Sequence, residues 1–355
     1  MFDLTPSPWG AALYALGWLA GWWLLARPRQ LPTAVTPERP AVAVVVPARD
    51  EAGAIGGLVT ELVAQCRPDD EVVVVDDGSV DGTGDVARAA GARVIAAAAL
   101  EPGWVGKPHA CWTGVHSTTA PVLVFLDADV TPSPTLLGDL AGALADDPEA
   151  LVSVQPWHTT GSAVEHVSAP FNLLTIMGTG AFAGAGGRGV SVAFGPVVAL
   201  TRHRYEAVGG HAHPSVRAAV AEDLALAALV ARSRLFLSGP DGVRYRMYPG
   251  GWRPLLQGWT KNLAVGAGRA PWWAVVLAAA WVTSLAGGWL ASPWWYAASA
   301  MQFAVLSRRV GSFGWRTALL YPLLVAVLVL VFLRSVALTV TRRQVMWKGR
   351  GLTAR

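Results

Sequence analysis

The sequence predicts an α/β fold with a mostly parallel sheet and with transmembrane helices at its N- and C-terminal ends. Short β-branched runs alternate with helical stretches through the first two thirds of the chain. The predicted strands are apolar without alternation, which is typical of parallel strands covered on both faces. Long uncharged segments lie near both ends of the chain, which is the pattern expected of membrane helices.

The charges are distributed unevenly along the chain. All 24 acidic residues lie at or before Asp241, together with 14 of the 28 lysines and arginines, and the remaining 14 cations follow without a single acid. These later cations flank apolar runs instead of forming a polar, basic stripe. The pattern therefore favours attachment to a membrane, and no nucleic-acid partner is expected.

The N-terminal segment predicts a membrane helix within residues 1–27. Trp9 to Ala26 is 18 residues long without a charge, which is just enough to cross a hydrocarbon core of about 30 Å. A secretory signal is disfavoured because Asp3 precedes the apolar run and the basic residues follow it. Arg27 and Arg29 place the C-terminal end of this helix on the cytoplasmic side.

The part that follows predicts a folded domain on the cytoplasmic side. Residues 28–40 are rich in proline and form a linker, and residues 41–250 form the domain itself. With membrane helices on both sides of this domain, a multi-pass protein of the inner or plasma membrane is expected.

Residues 251–269 predict an interfacial helix beside the membrane. Their apolar side chains fall on one helical face, which includes Trp252 and Trp259, whereas Gln257 and Lys261 lie elsewhere. These four residues are the predicted acceptor and interface positions. The alternative is an ordinary core helix of the folded domain.

Residues 270–341 predict two or three further membrane helices. The break at Ser292 and Pro293 divides an uncharged stretch of 38 residues, Ala270 to Ser307. If Trp294 to Leu306 lies at the interface and does not span, the basic tail of residues 342–355 returns to the cytoplasmic side, as the positive-inside rule requires. We favour that arrangement.

Four strands are predicted in the folded domain. They are Ala41–Val46, Glu71–Val75, Arg93–Ala96 and Val122–Leu126. The stretches Ile55–Gln65 and Asp85–Ala90 between them predict helices. Such a βα alternation produces a parallel sheet, and sheets of this kind bind ligands beyond the carboxyl ends of their strands.

Acidic residues follow three of these strands. They are Asp50, Glu51, Asp76, Asp77, Asp127 and Asp129. Carboxylates gathered at one sheet edge need a cation or the hydrogen-bond donors of a ligand. Asp127 and Asp129, two apart on an extended strand end, should share one side and suit Mn²⁺ or Mg²⁺. The pattern predicts a nucleotide site in which carboxylates hold the base and ribose and a divalent ion neutralises the diphosphate.

The motifs VVVPARDEA, VVVVDDGSVDGT, GWVGKPHA, FLDADV and AED occur in this order between Ala41 and Ser238. This ordered set resembles glycosyltransferase family 2. GWVGKPHA, the Gly-Gly-His at residues 209–211 and QGWTKN are similar to a membrane-anchored subgroup, the carotenoid-acid and related lipid glycosyltransferases. The resemblance implies an A-type glycosyltransferase fold and an inverting, metal-dependent transfer of a sugar from a nucleotide diphosphate donor, expected to be a UDP-hexose, to a membrane lipid such as a carotenoid.

The resemblance also implies roles for individual residues. Asp77 matches the acid that binds uridine, Lys107 lies over the donor phosphates, and Asp223 matches the general base, with Glu222 beside it in the catalytic motif. Asp127 and Asp129 match the acids that bind the metal and the ribose diphosphate. The full set of donor-binding positions is Pro47, Arg49, Glu51, Asp76, Asp77, Lys107, Asp127, Ala128 and His211.

One departure and two alternatives limit this interpretation. Many processive relatives carry QxxRW where this chain has Gln257-Gly-Trp-Thr-Lys, so a polymerising function is not expected. An enzyme that makes a polyprenyl-phosphate sugar would share the donor motifs and need an additional basic pocket, such as Arg202 and Arg204. A non-catalytic, nucleotide-binding membrane scaffold is the alternative from a different class.

Overall fold

The structure is a computed structural model that describes residues 7–34, 38–186, 190–341, 344–347 and 350–353. It divides into two compact units. The sheet unit comprises Arg29–Trp157 and Gly189–Tyr245, and the helical unit comprises Met1–Pro28, His158–Arg188 and Arg246–Arg355.

The sheet unit contains a seven-stranded sheet. In chain order the first ten strands are β1 Val42–Ala48, β2 Glu71–Asp76, β3 Arg93–Ala96, β4 Val122–Leu126, β5 Val130–Thr131, β6 Leu151–Gln155, β7 Trp157–His158, β8 Val197–Thr201, β9 Ser233–Leu237 and β10 Arg244–Tyr245. Seven of them form the large sheet, and β5, β10 and β7 form a separate three-stranded sheet. The order across the large sheet is β3-β2-β1-β4-β8-β6-β9. Only β8 runs against the others, so the predicted mostly parallel sheet is confirmed.

Helices cover both faces of this sheet. They are α2 Ala52–Val63, α3 Thr83–Ala89, α4 Gly106–His116, α5 Leu136–Asp146, α7 Arg202–Ala207, α8 Pro214–Arg217 and α9 Glu222–Val230. Successive residues of β1 enter opposite cores, Val44 on one face and Val45 on the other. This double burial explains why β1 is apolar without alternation. Helix α4 lies close to β1 because Gly114 has no side chain, and a Cβ there would be 2.4 Å from Val45 Cγ1.

The helical unit is built around apolar helices. They are α1 Pro8–Leu24, α6 Ala169–Gly178, α10 Trp252–Arg269, α11 Trp272–Ala291, α12 Pro293–Ser307, α13 Trp315–Leu319 and α14 Tyr321–Val340, followed by strands β11 Gln344–Trp347 and β12 Arg350–Thr353. Helices α1 and α11 touch through two glycines. A Cβ at Gly17 would lie 2.3 Å from Ala280 O, and one at Gly21 would lie 2.3 Å from Trp281 Cδ1. Small residues spaced by four allow this close helix packing.

Among the helices in the described ranges, α14 is long and apolar enough to cross a membrane, with a mean hydropathy of 2.7. Helix α1 has 17 residues. The predicted short segment from Trp294 to Leu306 is helix α12, with 15 residues. The remaining membrane spans and the interfacial placement of α12 stay predictions. In the predicted basic tail, residues 342–343, 348–349 and 354–355 lie outside the described residues.

The predicted interfacial helix is α10, and its apolar face packs inside the helical unit. Leu255, Trp259 and Leu263 are buried, and the Trp259 indole donates a hydrogen bond to Ser168 Oγ. Trp252 is half exposed. Packing against α6 and α14 accounts for the buried face. The placement of α10 beside a membrane remains a prediction.

An ion pair between the buried Glu165 and the half-exposed Arg246 should stabilise the helical unit. Glu165 is fully buried and accepts hydrogen bonds from Arg246 Nη2 at 2.7 Å, from Gly161 N at 2.8 Å and from Ser162 Oγ at 2.8 Å. The bonds from Arg246 are the main reason why the pKa of Glu165 falls to about 2. We expect Glu165→Gln to lower the free energy of unfolding at neutral pH by about 1 to 2 kcal/mol, because the buried side chain loses its charge-assisted hydrogen bonds while the half-exposed Arg246 remains solvated.

The pH dependence of this effect has a defined sign. The folded pKa of about 2 lies below the ordinary value of 4.5. The stabilisation is therefore complete above the ordinary value and is lost as the pH falls towards the folded value. Urea unfolding of the two proteins at neutral and acidic pH measures it. As a control, Glu149→Gln removes an exposed partner of Arg204 and should cost less than about 1 kcal/mol. Equal losses in the two variants would contradict the prediction.

Candidate active site

The loops that follow β1 and β2 are tied together at the carboxyl edge of the sheet. Asp50 N donates to Ser79 Oγ at 3.0 Å, and Asp50 Oδ1 accepts a hydrogen bond from Val80 N at 2.9 Å. Glu51 N donates to Thr83 Oγ1 at 2.8 Å. Asp50 has a φ of +53°, a left-handed conformation that Asp tolerates better than most residues. The two loops therefore form one continuous polar surface.

Predicted donor-binding residues lie in this surface. Arg49 Nη1 donates to the carbonyl oxygen of Asp77 at 3.2 Å and lies 4.0 Å from its carboxylate. Asp76 Oδ1 accepts a hydrogen bond from Ser79 N at 2.8 Å. The strand order thus brings Arg49, Glu51, Asp76 and Asp77 to adjacent strand ends, as the sequence predicted.

A pocket in the sheet unit gathers six further predicted residues. These are Pro47, Lys107, Asp127, His211, Glu222 and Asp223. The other lining residues are Cys111, Phe125, Leu126, Gly195, Val198 and Leu226. The cavity volume is about 10 Å³, which is room for about one water molecule. A sugar can enter only if side chains in this pocket move.

Lys107 lies at the centre of the pocket. Its ammonium nitrogen is 2.7 Å from Asp127 Oδ1 and 2.7 Å from Glu222 Oε1. Withdrawal from water would by itself lower the pKa of Lys107, but the carboxylates of Asp127, Glu222 and Asp223 hold that pKa well above its usual range. Lys107 is therefore permanently protonated, and its ammonium group bridges the carboxylates of Asp127 and Glu222.

Asp223 has the properties of a proton acceptor near neutral pH. The pKa of Asp223 is raised to about 7, mainly by burial; the negative charge of Glu222 acts in the same direction, and the charge of Lys107 opposes both. Gly195 leaves space for this carboxylate, because a Cβ at residue 195 would lie 3.1 Å from Asp223 Oδ2. A carboxyl group with this pKa can exchange a proton with a substrate.

Glu222 and Asp223 lie at the beginning of helix α9, not in the middle of a helix. The residue pattern from Val216 to Val230 predicts one continuous helix, and this prediction is wrong: α8 ends at Arg217 and α9 begins at Glu222. The interruption places both carboxylates in the first turn of α9, where the helix dipole favours negative charge.

The segment from Asp127 to Asp129 also differs from the prediction. The chain turns at Ala128 and Asp129, and Val130 N donates to the Asp127 carbonyl at 3.3 Å. The segment is therefore a turn and not the extended strand end that the sequence predicted. Asp127 lines the pocket, whereas Asp129 is exposed.

The carboxylate oxygens at this sheet edge suit a metal ion whose coordination is completed by a bound substrate. No group of three or more His, Cys, Asp or Glu residues within the described residues can hold a metal. Two carboxylates, Asp127 and Asp129, are hard donors, and Mg²⁺ commonly binds one or two carboxylates together with substrate phosphates. The residues present fit a divalent ion shared with a diphosphate, not a site made by protein alone.

Two contributions to the pocket escaped the sequence analysis. Cys111 lies one helical turn after Lys107 on α4, so the spacing of four could have placed both on one face. Burial raises the pKa of the Cys111 thiol, which keeps it protonated. Gly195 belongs to none of the motifs, and only the fold brings it beside Asp223.

The other predicted residues lie outside the pocket. Arg202 Nε donates to the Ala120 carbonyl at 2.9 Å, and Arg204 Nη2 donates to the Val230 carbonyl at 2.9 Å. Neither arginine lines this pocket. The acceptor positions Trp252, Gln257, Trp259 and Lys261 all lie on α10 of the helical unit.

Known proteins share this architecture. Residues 43–191 match the family model described as glycosyl transferase family 2. The 4,4'-diaponeurosporenoate glycosyltransferases of Staphylococcus aureus strains MRSA252 and USA300 are each 34% identical over 334 residues, covering 87% of this chain and 88% of theirs. The mannosyltransferase PcManGT from Pyrobaculum calidifontis, solved in complex with GDP-Man and Mn²⁺, has a TM-score of 0.53 at 23% identity and covers 89% of this chain and 95% of its own.

The mostly parallel sheet and the acidic strand ends define an α/β fold like that of the A-type glycosyltransferases. The chain belongs to glycosyl transferase family 2 and is a glycosyltransferase. Family membership overturns the alternative of a non-catalytic scaffold.

Proposed function

We propose that this enzyme transfers a hexose from a UDP-sugar to a carotenoid acid or a related isoprenoid lipid, with inversion at the anomeric carbon. The observation that carries the proposal is the pocket in which the Lys107 cation, the strand-end carboxylate of Asp127 and the buried Asp223 converge. The acceptor class comes from the relatives, which are named as diaponeurosporenoate glycosyltransferases.

The tied loops after β1 and β2 suit the nucleoside. The carboxylates of Asp76 and Asp77 can accept hydrogen bonds from the base and the ribose hydroxyls. Arg49 and Glu51 border the same surface, and Pro47 and Ala128 are the further positions expected to contact the donor. PcManGT is named with a sugar nucleotide, GDP-Man, which supports the same donor class here.

The leaving diphosphate requires positive charge. Asp127 and Asp129 would hold Mn²⁺ or Mg²⁺, which when bound neutralises charge on the diphosphate oxygens. Lys107 supplies a second positive charge from the other side of Asp127. Because Lys107 also occupies the space between Asp127 and Glu222, its side chain must shift towards the phosphates when the donor binds.

The chemical step is one displacement. The bond between the anomeric carbon and the diphosphate oxygen breaks, its electron pair leaves with UDP, and a bond to the acceptor oxygen forms on the opposite face. For a hydroxyl acceptor, Asp223 takes the proton of that hydroxyl. A carboxylate acceptor has no such proton, so Asp223 would then orient it.

We also propose that the helical unit anchors the enzyme in the inner or plasma membrane, with the sheet unit in the cytoplasm. Large apolar side chains are exposed along its helices: Trp9, Leu13, Leu16 and Trp23 on α1, and Leu323, Leu330, Leu333 and Val340 on α14. Two polar groups between the helices pair internally: Ser284 Oγ donates to the Tyr14 carbonyl at 2.8 Å, and Gln302 Nε2 donates to the Trp18 carbonyl at 2.7 Å. Lipid requires such internal pairing.

A matched pair of acceptors tests the proposal. Purified enzyme in lipid nanodiscs receives UDP-[¹⁴C]glucose and either diaponeurosporenoic acid or its methyl ester, with Mn²⁺ or with EDTA. We expect a labelled lipid ester with the acid and Mn²⁺ only. GDP-[¹⁴C]mannose tests the donor base, and a polyprenyl phosphate tests the alternative acceptor. Labelling of the polyprenyl phosphate instead of the acid would refute the proposed acceptor.

A further inference from the structure

Tyr205 and His211 form a buried pair beside the pocket. Both are nearly inaccessible to solvent, with 1% and 3% of their surfaces exposed. The Tyr205 hydroxyl oxygen lies 3.0 Å from His211 Nδ1 and accepts a hydrogen bond from His211 N at 3.0 Å. Gly210 makes this contact possible, because a Cβ there would lie 2.3 Å from Tyr205 Cζ.

The positions of the protons follow from these contacts. A backbone N–H can only donate, so it uses a lone pair of the Tyr205 oxygen. The Tyr205 proton is buried, and the acceptor that the structure places within reach is His211 Nδ1. A buried hydroxyl proton without an acceptor is costly. Nδ1 must therefore be unprotonated, and a neutral imidazole then carries its proton on Nε2.

The imidazole is neutral over the working pH range. Burial and the nearby Lys107 charge lower the pKa of His211 to about 3. Its ring packs edge-on against Phe125 at a centroid distance of 4.9 Å and lines the pocket, while Tyr205 does not. The ring edge that faces the pocket is accordingly the one that carries Nε2.

We infer that Tyr205 is a positioning residue that fixes the Nε2–H tautomer of His211, and that this N–H binds a substrate oxygen. The polar side chains lining the pocket are otherwise one ammonium, three carboxylates and a buried thiol. Lys107 and His211 are thus its two nitrogen donors. The identity of this oxygen rests on the proposed function. It is a hydroxyl of the transferred sugar or a carboxylate oxygen of the acceptor.

The tautomer can be measured without any catalytic assay. The full-length protein is labelled with ¹⁵N-histidine, and the signal of His211 among the seven histidines is assigned by its loss in His211→Gln. We expect a neutral ring with the proton on Nε2 in the wild type and a gain of the Nδ1–H form in Tyr205→Phe. Tyr245→Phe is the control, because it removes another buried hydroxyl in the sheet unit, outside the pocket. A wild-type ring with its proton on Nδ1 overturns the inference.

Kinetics identify the substrate oxygen. His211→Phe removes the donor, and we expect kcat/KM to fall by about 10- to 100-fold, as for a lost hydrogen bond to a charged or strongly polar oxygen. His211→Gln keeps an N–H donor at the same reach and should recover part of this loss. A rise in KM for the UDP-sugar assigns the bond to the sugar, and a rise in KM for the acid assigns it to the acceptor.

The two hypotheses fail in different ways. If the wild type transfers no sugar, the proposed function fails while the tautomer prediction still stands or falls on the spectrum. If the wild type is active and His211→Phe matches it in both KM values and in kcat, the inference fails. If Tyr205→Phe does not fold, the wild-type spectrum and the pair of His211 variants decide the question.

Discussion

Asp223→Asn is expected to lower kcat for transfer to a hydroxyl acceptor by about 10²- to 10⁴-fold, the usual contribution of a general base. Asparagine keeps the size of the side chain but cannot take the proton. With a carboxylic acid acceptor the loss should be much smaller, because that oxygen is already deprotonated. Initial rates with a matched alcohol and acid measure the difference. UDP binding is the control and should not change.

The pH dependence of the same step distinguishes the two acceptor classes. Because the pKa of Asp223 is raised to about 7, the base form appears as the pH rises through neutrality. Transfer to an alcohol should therefore increase through this range. Transfer to a carboxylate should decrease, since the deprotonated Asp223 then repels the acceptor. Removing the negative charge in Glu222→Gln should move both transitions to lower pH. A profile that is identical in the wild type and in Asp223→Asn would assign the base to another group.

The strand-end acids could be predicted because they depend on local sequence. Val42 to Val46 and Val72 to Val75 are buried on both faces, so the polar residues that follow must lie at the sheet edge. Parallel strands bring those edges together. Only the hydrophobic pattern and the sheet rule are needed to place Asp50 and Asp77 near each other.

The interior of the site could not be predicted in the same way. Residues Ala218 to Ala221 are compatible with helix by propensity, yet the chain leaves the helix there and begins α9 at Glu222. The contact of Glu222 with Lys107 is long-range and stabilises this break through charge. Asp129 shows the same limitation, because the chain turns after Asp127 where the sequence predicted an extended strand end. Tertiary contacts override local preference at these positions.

Lys107→Met should also have a large effect, for two physical reasons. The leaving diphosphate loses a fixed positive charge, so kcat should fall by about 10²- to 10³-fold, as when one preorganised donor is removed. Glu222 is only 5% exposed and would remain buried without its cation, which should cost about 3 kcal/mol of stability. Lys107→Arg, which keeps the charge, is the control and should retain the stability.

A double-mutant cycle separates these two effects. Glu222→Gln removes the carboxylate that Lys107→Met leaves uncompensated, so the double variant should recover most of the stability lost in Lys107→Met. It should not recover kcat, because the charge that faces the diphosphate is still absent. Urea unfolding and initial rates on the four proteins provide both measurements. Recovery of rate together with stability would show that Lys107 serves only to neutralise Glu222, and the proposed contact between its ammonium and the donor phosphates would then be wrong.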